Sequence, residues 1–408
     1  MKKTKFKKTE IGMIPEDWEV KRIGDEIELC YGKGLPETKR IKGKIPVYGS
    51  NGIVGFHNES LINGQGIIIG RKGSVGEIKF SERDFWAIDT TYYVKLLKKG
   101  DIKFWYYFLL TLKLNKMNSH SAVPGLNRDN VYEIVEKIPD FEEQQKISKI
   151  LSDLDSKIEL NHQMNKTLEA TGQAIFKRWF IDFEFPNEKG KPYKSSGGEM
   201  VDSELGEIPK GWKVSKIGKE FETILGGTPR TTNKSYWENG TVAWINSGEI
   251  NKFRIIEPTA HITKEAVDNS ATKLMPKGTT VLAITGATLG QVSRIEIDTC
   301  ANQSVIGIIE NKDIPSEYIY LWIKHKIIGL ISNQTGVAQQ HINKNNVNEL
   351  EILLPDDSLM LKFKEMMRSI FKNISINCFE SQNLSQIRDS LLPKLMSGKI
   401  RVPVEVSA

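Results

Sequence analysis

The sequence predicts a mixed α/β (α+β) protein. It has two globular parts in tandem, each followed by a long helix. Three observations carry this expectation: a repeat of the whole plan, short β-branched runs broken by glycine, and two long segments of helical periodicity. The repeat is plain at the openings. Residues 10–24 read EIGMIPEDWEVKRIG and residues 204–218 read ELGEIPKGWKVSKIG, pairing Trp18 with Trp212 and Gly24 with Gly218 at an offset of 194. Later, SVGEI at 74–78 matches TLGQV at 288–292 at an offset of 214. LNRDNVYEIVEKIPD at 126–140 then matches INKNNVNELEILLPD at 342–356 at 216. Two copies of one architecture follow. Their edges are kept while the middle drifts in length, as expected where variable loops serve different ligands.

The strands come from runs such as Gly66-Ile67-Ile68-Ile69-Gly70 and Thr279-Thr280-Val281-Leu282-Ala283-Ile284, bounded by turn-forming residues. Apolar helical stretches at 105–114 and 318–330 make each globular part mixed. The long helices come next. Ile147, Ile150, Leu151, Leu154, Ile158, Met164, Leu168, Ile175 and Trp179 recur at helical spacing, and so do Phe363, Met366, Met367, Ile370, Ile374, Leu384, Ile387, Leu391 and Leu395. Each helix should run for roughly 50–60 Å at 1.5 Å per residue. The divisions expected are 1–141, 142–185, 186–355 (with 186–203 a linker) and 356–408.

Heptad positions 147, 154, 161, 168 and 175 read Ile, Leu, Asn, Leu, Ile, and positions 363, 370, 377, 384 and 391 read Phe, Ile, Asn, Leu, Leu. A lone Asn at a core position costs stability and fixes register. If the helices pair as an antiparallel coiled coil in register, Asn161 and Asn377 meet. A globule then sits at each end of a rod with pseudo-twofold symmetry, which is a way to measure two half-sites on a linear polymer.

Composition narrows the class. The 408 residues suffice for two domains with cores. No apolar run approaches the roughly 20 residues of a membrane span. The opening MKKTKFKK has no apolar segment behind it and does not read as a secretory signal. Cys30, Cys300 and Cys378 are isolated, which points to a reducing, cytoplasmic setting and against a cysteine-based metal site. The net charge of +6 lies in the first part, where residues 1–140 hold 24 Lys/Arg against 18 Asp/Glu. That excess suggests a polyanionic partner.

No catalytic or nucleotide-binding motif stands up. There is no G-x-x-x-x-G-K-[ST] and no Asn-Pro-Pro-aromatic segment. Gly64, Gly66 and Gly70 have the wrong spacing for a dinucleotide fingerprint. Glu77-Ile78-Lys79 lacks a preceding Pro-Asp, and the six histidines are scattered. The chain reads as a recogniser without chemistry, cofactor or metal of its own.

The stretch NVYEIVEKIPDFEEQQKISKILSDLDSKI (130–158) resembles a conserved region of the specificity subunits of type I restriction-modification enzymes. AIFKRWFIDFEFP (174–186), IRDSLLPKLMSGKIRVP (387–403) and the twin Ile-Pro…Trp openings resemble that family too. One departure is LLPDDSLMLKFKEMM in the second copy, which lacks the Gln-Gln of the first. The resemblance implies two target-recognition domains, each reading half of a bipartite, asymmetric double-stranded DNA sequence. The helices would set the spacing and dock two methyltransferase subunits. The assembled complex would methylate adenine with S-adenosylmethionine. With restriction subunits it would cleave DNA using ATP and Mg, all held by the partner subunits. A protein scaffold with two adaptor domains on a coiled-coil spacer is the rival reading, and an enzyme with an unrecognised site is another.

Base readout requires polar side chains on loops that enter a groove. In the first part the candidates are Arg71, Lys72 and Ser74 in GRKGSVG, and Tyr48, Ser50 and Asn51 in VYGSNG. Thr90, Thr91, Tyr92, Asn127 and Arg128 complete that set. In the second they are Thr285, Thr288, Asn302, Gln303 and Ser304, with Gln339, Gln340, His341, Asn343 and Lys344 in AQQHINK, and Arg230, Thr231 and Ser247 as weaker members. Trp18, Trp179 and Trp212 read as core.

Overall fold

Each globular part opens on a hairpin turned by a glycine. Phe6–Thr9 pairs antiparallel with Gly12–Pro15, and Met200–Ser203 with Gly206–Pro209. Gly12 and Gly206 hold φ near +104° and +88°, a conformation open to glycine at little cost. The computed structural model describes residues 5–117, 125–332 and 342–402. The chain divides into two units: Met1–Ile158 with Asn383–Ala408, and Glu159–Gln382. Both long helices have residues in each unit.

The first unit holds a four-stranded antiparallel sheet in the order Ile27–Tyr31, Thr91–Leu96, Gly66–Gly70, Ile78–Ser81. Gly66–Gly70 is buried along its whole length, which explains its unbroken apolar run. A second sheet orders Gly52–His57, Ile45–Gly49 and Trp86–Ala87, the last pair parallel. Glu19–Arg22 pairs with Val135–Ile138.

The second unit repeats this plan. Its four-stranded sheet runs Thr223–Leu225, Val305–Ile308, Thr280–Ala283, Val292–Arg294. Its three-stranded sheet runs Ala260–Ile262, Val242–Ile245, Cys300–Ala301, again with one parallel pair. Lys213–Lys216 pairs with Glu351–Leu354. The apolar helices are Ile102–Thr111 and Ser316–Ser332. Trp18, Trp105 and Phe108 anchor the first core, joined by Leu395 and Met396 of the second long helix. Trp179, Trp212, Tyr318 and Phe363 anchor the second.

The long helices span Phe141–Phe176 and Asp357–Met396. Asp140 and Asp356 start them, their carboxylates accepting from the backbone N–H of Glu143 and Leu359 at 2.8 and 2.9 Å. Inside the second unit the helices run antiparallel. Asn161 donates to Glu380 at 2.8 Å and to Ser381 at 3.3 Å, while Asn377 donates to the Asn165 side-chain amide oxygen at 2.9 Å. Asp155 and Arg388, 2.6 Å apart, mark the same direction within the first unit. The expected meeting of Asn161 with Asn377 is therefore corrected. The register is offset by one helical turn, and Asn377 meets Asn165 instead. The polar layer is also wider than one Asn per helix, since Asn161, Asn165, Asn377 and Ser381 are all buried. Asn377→Leu should strand the Asn165 side-chain amide oxygen and cost about 1–3 kcal/mol, whereas Asn165→Leu with Asn377→Leu should be close to neutral. Urea titration of both variants checks this; equal losses would mean that the pair does not act as one.

The missing Gln-Gln has a packing explanation. In the first unit the buried Gln144 accepts from Asp101 N–H at 3.1 Å and donates to the Pro139 carbonyl at 3.0 Å. Trp18 donates to Glu143 at 2.7 Å. Arg401 donates to Glu143 at 2.7 Å and to Asp17 at 2.9 Å. At the offset of 216 the second copy has Leu359 for Glu143 and Met360 for Gln144, both buried. There Trp212 stacks on Phe185 at 5.2 Å. A hydrogen-bonded junction in one copy is an apolar junction in the other.

Candidate nucleic-acid interface

In the first unit four loops converge. The turn 70–76 depends on glycine: a Cβ on Gly70 would lie 2.0 Å from the Ser74 carbonyl oxygen, and one on Gly76 (φ +74°) 2.3 Å from the Asn115 nitrogen. The Thr90 carbonyl accepts from the N–H of Arg71 and of Lys72 at 2.9 and 3.1 Å, and from the Ser50 hydroxyl at 2.8 Å. The Arg71 carbonyl accepts from Leu126 N–H at 3.0 Å. Loops 50–51, 70–76, 88–90 and 125–128 therefore meet, and Ser50, Arg71, Lys72, Thr90, Asn127 and Arg128 are brought together.

The centre of this cluster is aromatic and cationic. Tyr31, at the end of its strand, is 53% exposed. Its ring lies 5.1 Å from that of Tyr92. Arg71 sits over Tyr31 at 5.2 Å and over Tyr92 at 5.9 Å, and Arg128 over Tyr31 at 5.1 Å. Such contacts hold a guanidinium in a fixed plane. Arg71 is further pinned, donating through Nε and Nη2 to the Asp89 carbonyl at 3.2 and 2.7 Å. Burial, then the neighbouring Tyr31 hydroxyl, pushes the Tyr92 hydroxyl up to about 12. It stays protonated and donates to the Leu126 carbonyl at 3.2 Å.

Three candidates of the first part are buried and not presented at the surface. Tyr48 is buried, edge-on to Phe85 at 5.9 Å. Thr91 is fully buried, its hydroxyl donating to the Ile88 carbonyl at 2.7 Å. Tyr92 is buried beneath Tyr31. These three positions belong to strands rather than loops, and the strands carry them into the core. Asn127 is exposed and caps the helix Arg128–Tyr132 by accepting from Asp129 N–H at 2.8 Å. Asn51 and Lys72 are exposed, and Ser74 is half-buried.

The second unit builds the same frame with other side chains. A Cβ on Gly226 would lie 2.1 Å from the Asn302 carbonyl oxygen, as one on Gly32 would lie 2.1 Å from that of Ile88. The Ser304 carbonyl accepts from Ile284 N–H at 2.9 Å, and the Ile284 carbonyl from Ile342 N–H at 3.0 Å. Thr285 donates to the Ser304 hydroxyl at 2.7 Å, and Thr228 to the Gln303 amide oxygen at 2.6 Å. Asn302 accepts from Ser304 N–H at 3.1 Å. Asn343 caps Lys344–Asn348 in a capping box with Asn346. So Thr285, Asn302, Gln303, Ser304, Asn343 and Lys344 form one surface. Thr288 lies in the turn Gly286–Thr288, which packs beside the turn Ser247–Asn251 that Ser247 begins. Arg230 and Thr231 are exposed, and Arg230 lines a polar pocket of about 510 Å³ with Asn233, Tyr236 and Asn269. Gln339, Gln340 and His341 lie outside the described residues.

Sequence reasoning missed Tyr31, Thr228 and Tyr236. The one available signal for Tyr31 is its place before Gly32, matched by Leu225 before Gly226. Among the described residues no group of His, Cys, Asp and Glu could hold a metal ion, and no helix is long and apolar enough to cross a membrane.

Comparison with known proteins agrees with this plan. The family model described as type I restriction modification DNA specificity domain matches residues 15–170 and 209–381, one match per copy. The MjaIX type I restriction enzyme specificity subunit of Methanocaldococcus jannaschii is 26% identical, over 98% of this chain and 97% of its own. The HindI specificity subunit of Haemophilus influenzae is 28% identical, over 68% and 71%. The crystal structure of the S subunit of a type I restriction-modification system from M. genitalium shares the fold. Its TM-score is 0.65 at 16% identity, covering 93% of this chain and 96% of that one.

Proposed function

Because this chain belongs to the type I restriction modification DNA specificity family, we propose that it chooses the DNA sequence on which such a system acts. Each unit reads one half of a bipartite, asymmetric target. The observation that carries this reading is the pair of equivalent loop clusters with unlike side chains: Arg71, Thr90 and Arg128 in one, Thr285, Ser304 and Lys344 in the other. One frame supports two readers, and different readers give different half-sites.

The two long helices set the distance between half-sites and dock two methyltransferase subunits. Their uninterrupted length and the polar contacts that fix their register within each unit support this role. The chain supplies recognition and no chemistry. S-adenosylmethionine, ATP and Mg belong to the methyltransferase and restriction subunits, and the complex methylates adenine and cleaves unmodified DNA in the cytoplasm.

The test is expression of this chain with its partner methyltransferase, followed by methylome sequencing. A bipartite adenine-methylated motif with a constant gap is expected. The complex should also lose DNA affinity steeply as salt rises. A protein scaffold would give neither methylation nor salt-dependent DNA binding.

A further inference from the structure

The two loop clusters differ most at one place. Around Arg128 the first unit gathers Tyr31, Arg71 and Tyr92. The matching positions of the second unit are Leu225, Thr285, Ile306 and Lys344. The backbone supports this matching. Leu225 precedes Gly226 as Tyr31 precedes Gly32, and both glycines pass the same backbone at contact distance. Lys344 follows the capping Asn343 as Arg128 follows the capping Asn127. One cluster carries two guanidiniums on tyrosine rings, and the other has neither an arginine nor an aromatic ring at those positions.

The two arginines are not equivalent. Arg71 spends Nε and Nη2 on the Asp89 carbonyl, so its fork is committed to the protein. Arg128 is held over the half-exposed ring of Tyr31. Among the described residues its guanidinium has no hydrogen bond or ion pair, so both of its terminal nitrogens are available. A fixed guanidinium with a free fork matches the two acceptors, O6 and N7, on the major-groove edge of guanine.

We propose that Arg128 reads a guanine in the half-site bound by the first unit. Tyr31 is the platform that orients it, and Arg71 is a positioning residue that holds Tyr31 and the 70–76 turn. The second unit has Lys344 at the corresponding place and makes no such bidentate contact. This inference rests on the DNA-reading assignment above and deepens it.

The experiment uses the full chain co-expressed with its methyltransferase, with wild type, Arg128→Ala, Arg128→Lys and Arg71→Ala compared by methylome sequencing. In wild type one half-site should contain a guanine that Arg128→Ala makes degenerate. Methylation at sites carrying another base there should rise roughly tenfold or more relative to the cognate base. Arg128→Lys should relax the same position less. Arg71→Ala should lower methylation and relax the same guanine only in part, because Arg71 acts on that base through Tyr31 and Arg128 and has no base of its own. An unchanged motif with Arg128→Ala overturns the inference. A uniform loss at every base also overturns it, because that marks a phosphate contact. Absence of any bipartite motif in wild type sinks the DNA-reading assignment itself. Should Arg128→Ala fail to fold, oligonucleotides with 7-deazaguanine at each guanine test the wild-type complex directly. Loss of N7 must weaken binding at one position in that half-site, and equal binding throughout overturns the proposal.

Discussion

Arg254→Ala should destabilise the second unit by about 3–5 kcal/mol, the largest single-residue effect expected in this chain. The Arg254 side chain is fully buried. It donates to Glu169 at 2.8 Å and to the Tyr320 hydroxyl at 3.0 Å. Its guanidinium also lies over the rings of Phe253, Tyr320 and Phe371 at 4.4, 4.7 and 5.2 Å. Glu169 comes from the first long helix and Phe371 from the second, so one cation fastens the globular part of this unit to both. Exposed pairs such as Arg22 with Glu133 are worth about 0–1 kcal/mol and make a useful contrast.

Truncation leaves Glu169 and Glu296 buried with less compensation. Burial alone would push the Glu169 carboxyl up, but Arg254 and then Lys324 more than reverse this and hold it below the usual value. A depressed carboxyl stabilises the fold fully above its unfolded value, and that contribution is lost as the pH falls through its folded one. In wild type the loss should appear only below the ordinary glutamate range. In Arg254→Ala burial dominates, the Glu169 carboxyl rises, and protonation relieves the buried charge. The deficit should therefore be smaller near pH 5 than near pH 8. Denaturant titrations at both values, with hydrogen exchange to localise the change, check it. A deficit below 1 kcal/mol, or one independent of pH, would show that the pair is not acting as a buried charge.

Lengthening both long helices should change what the protein recognises without changing either half-site. One heptad added to each helix extends it by roughly 10 Å. At about 3.4 Å per base pair, the tolerated gap should grow by up to about three base pairs. The insertions must be paired. Within the units the helices are matched through Asn165 with Asn377 and Asp155 with Arg388, and one added heptad alone would break those matches and should abolish methylation. Methylome sequencing of the doubly extended chain reads gap and half-sites together. An unchanged gap in a fully active complex would mean that the helices do not set it.

The broad plan was legible because it rests on patterns repeated in the chain. The offset openings, the Gly66–Gly70 run and the helical periodicity predicted the tandem halves, a strand and the two long helices. What escaped was set by packing between distant segments. The one-turn offset that pairs Asn377 with Asn165 cannot be read from either helix alone, because heptads fix a face and not a register. Tyr48, Thr91 and Tyr92 looked like loop residues because they stand beside glycines and polar residues. Strand pairing decides which side of a sheet they face, and one residue of slip reverses the answer. Tyr31 was invisible for the opposite reason: an aromatic in a strand is ordinarily core, and only the folded sheet shows it half exposed between two arginines.

The composition of the two units bears on the order in which they can form during synthesis. The second is one continuous stretch, Glu159–Gln382, while the first needs Met1–Ile158 and the distant Asn383–Ala408. Leu395 and Met396 complete the core around Trp18, and Arg401 closes the ring of charges with Asp17 and Glu143. A nascent chain, which ordinarily folds its N-terminal domain first, must here leave the core around Trp18 open until the segment that follows Gln382 has emerged. The part translated second is the part that can close first.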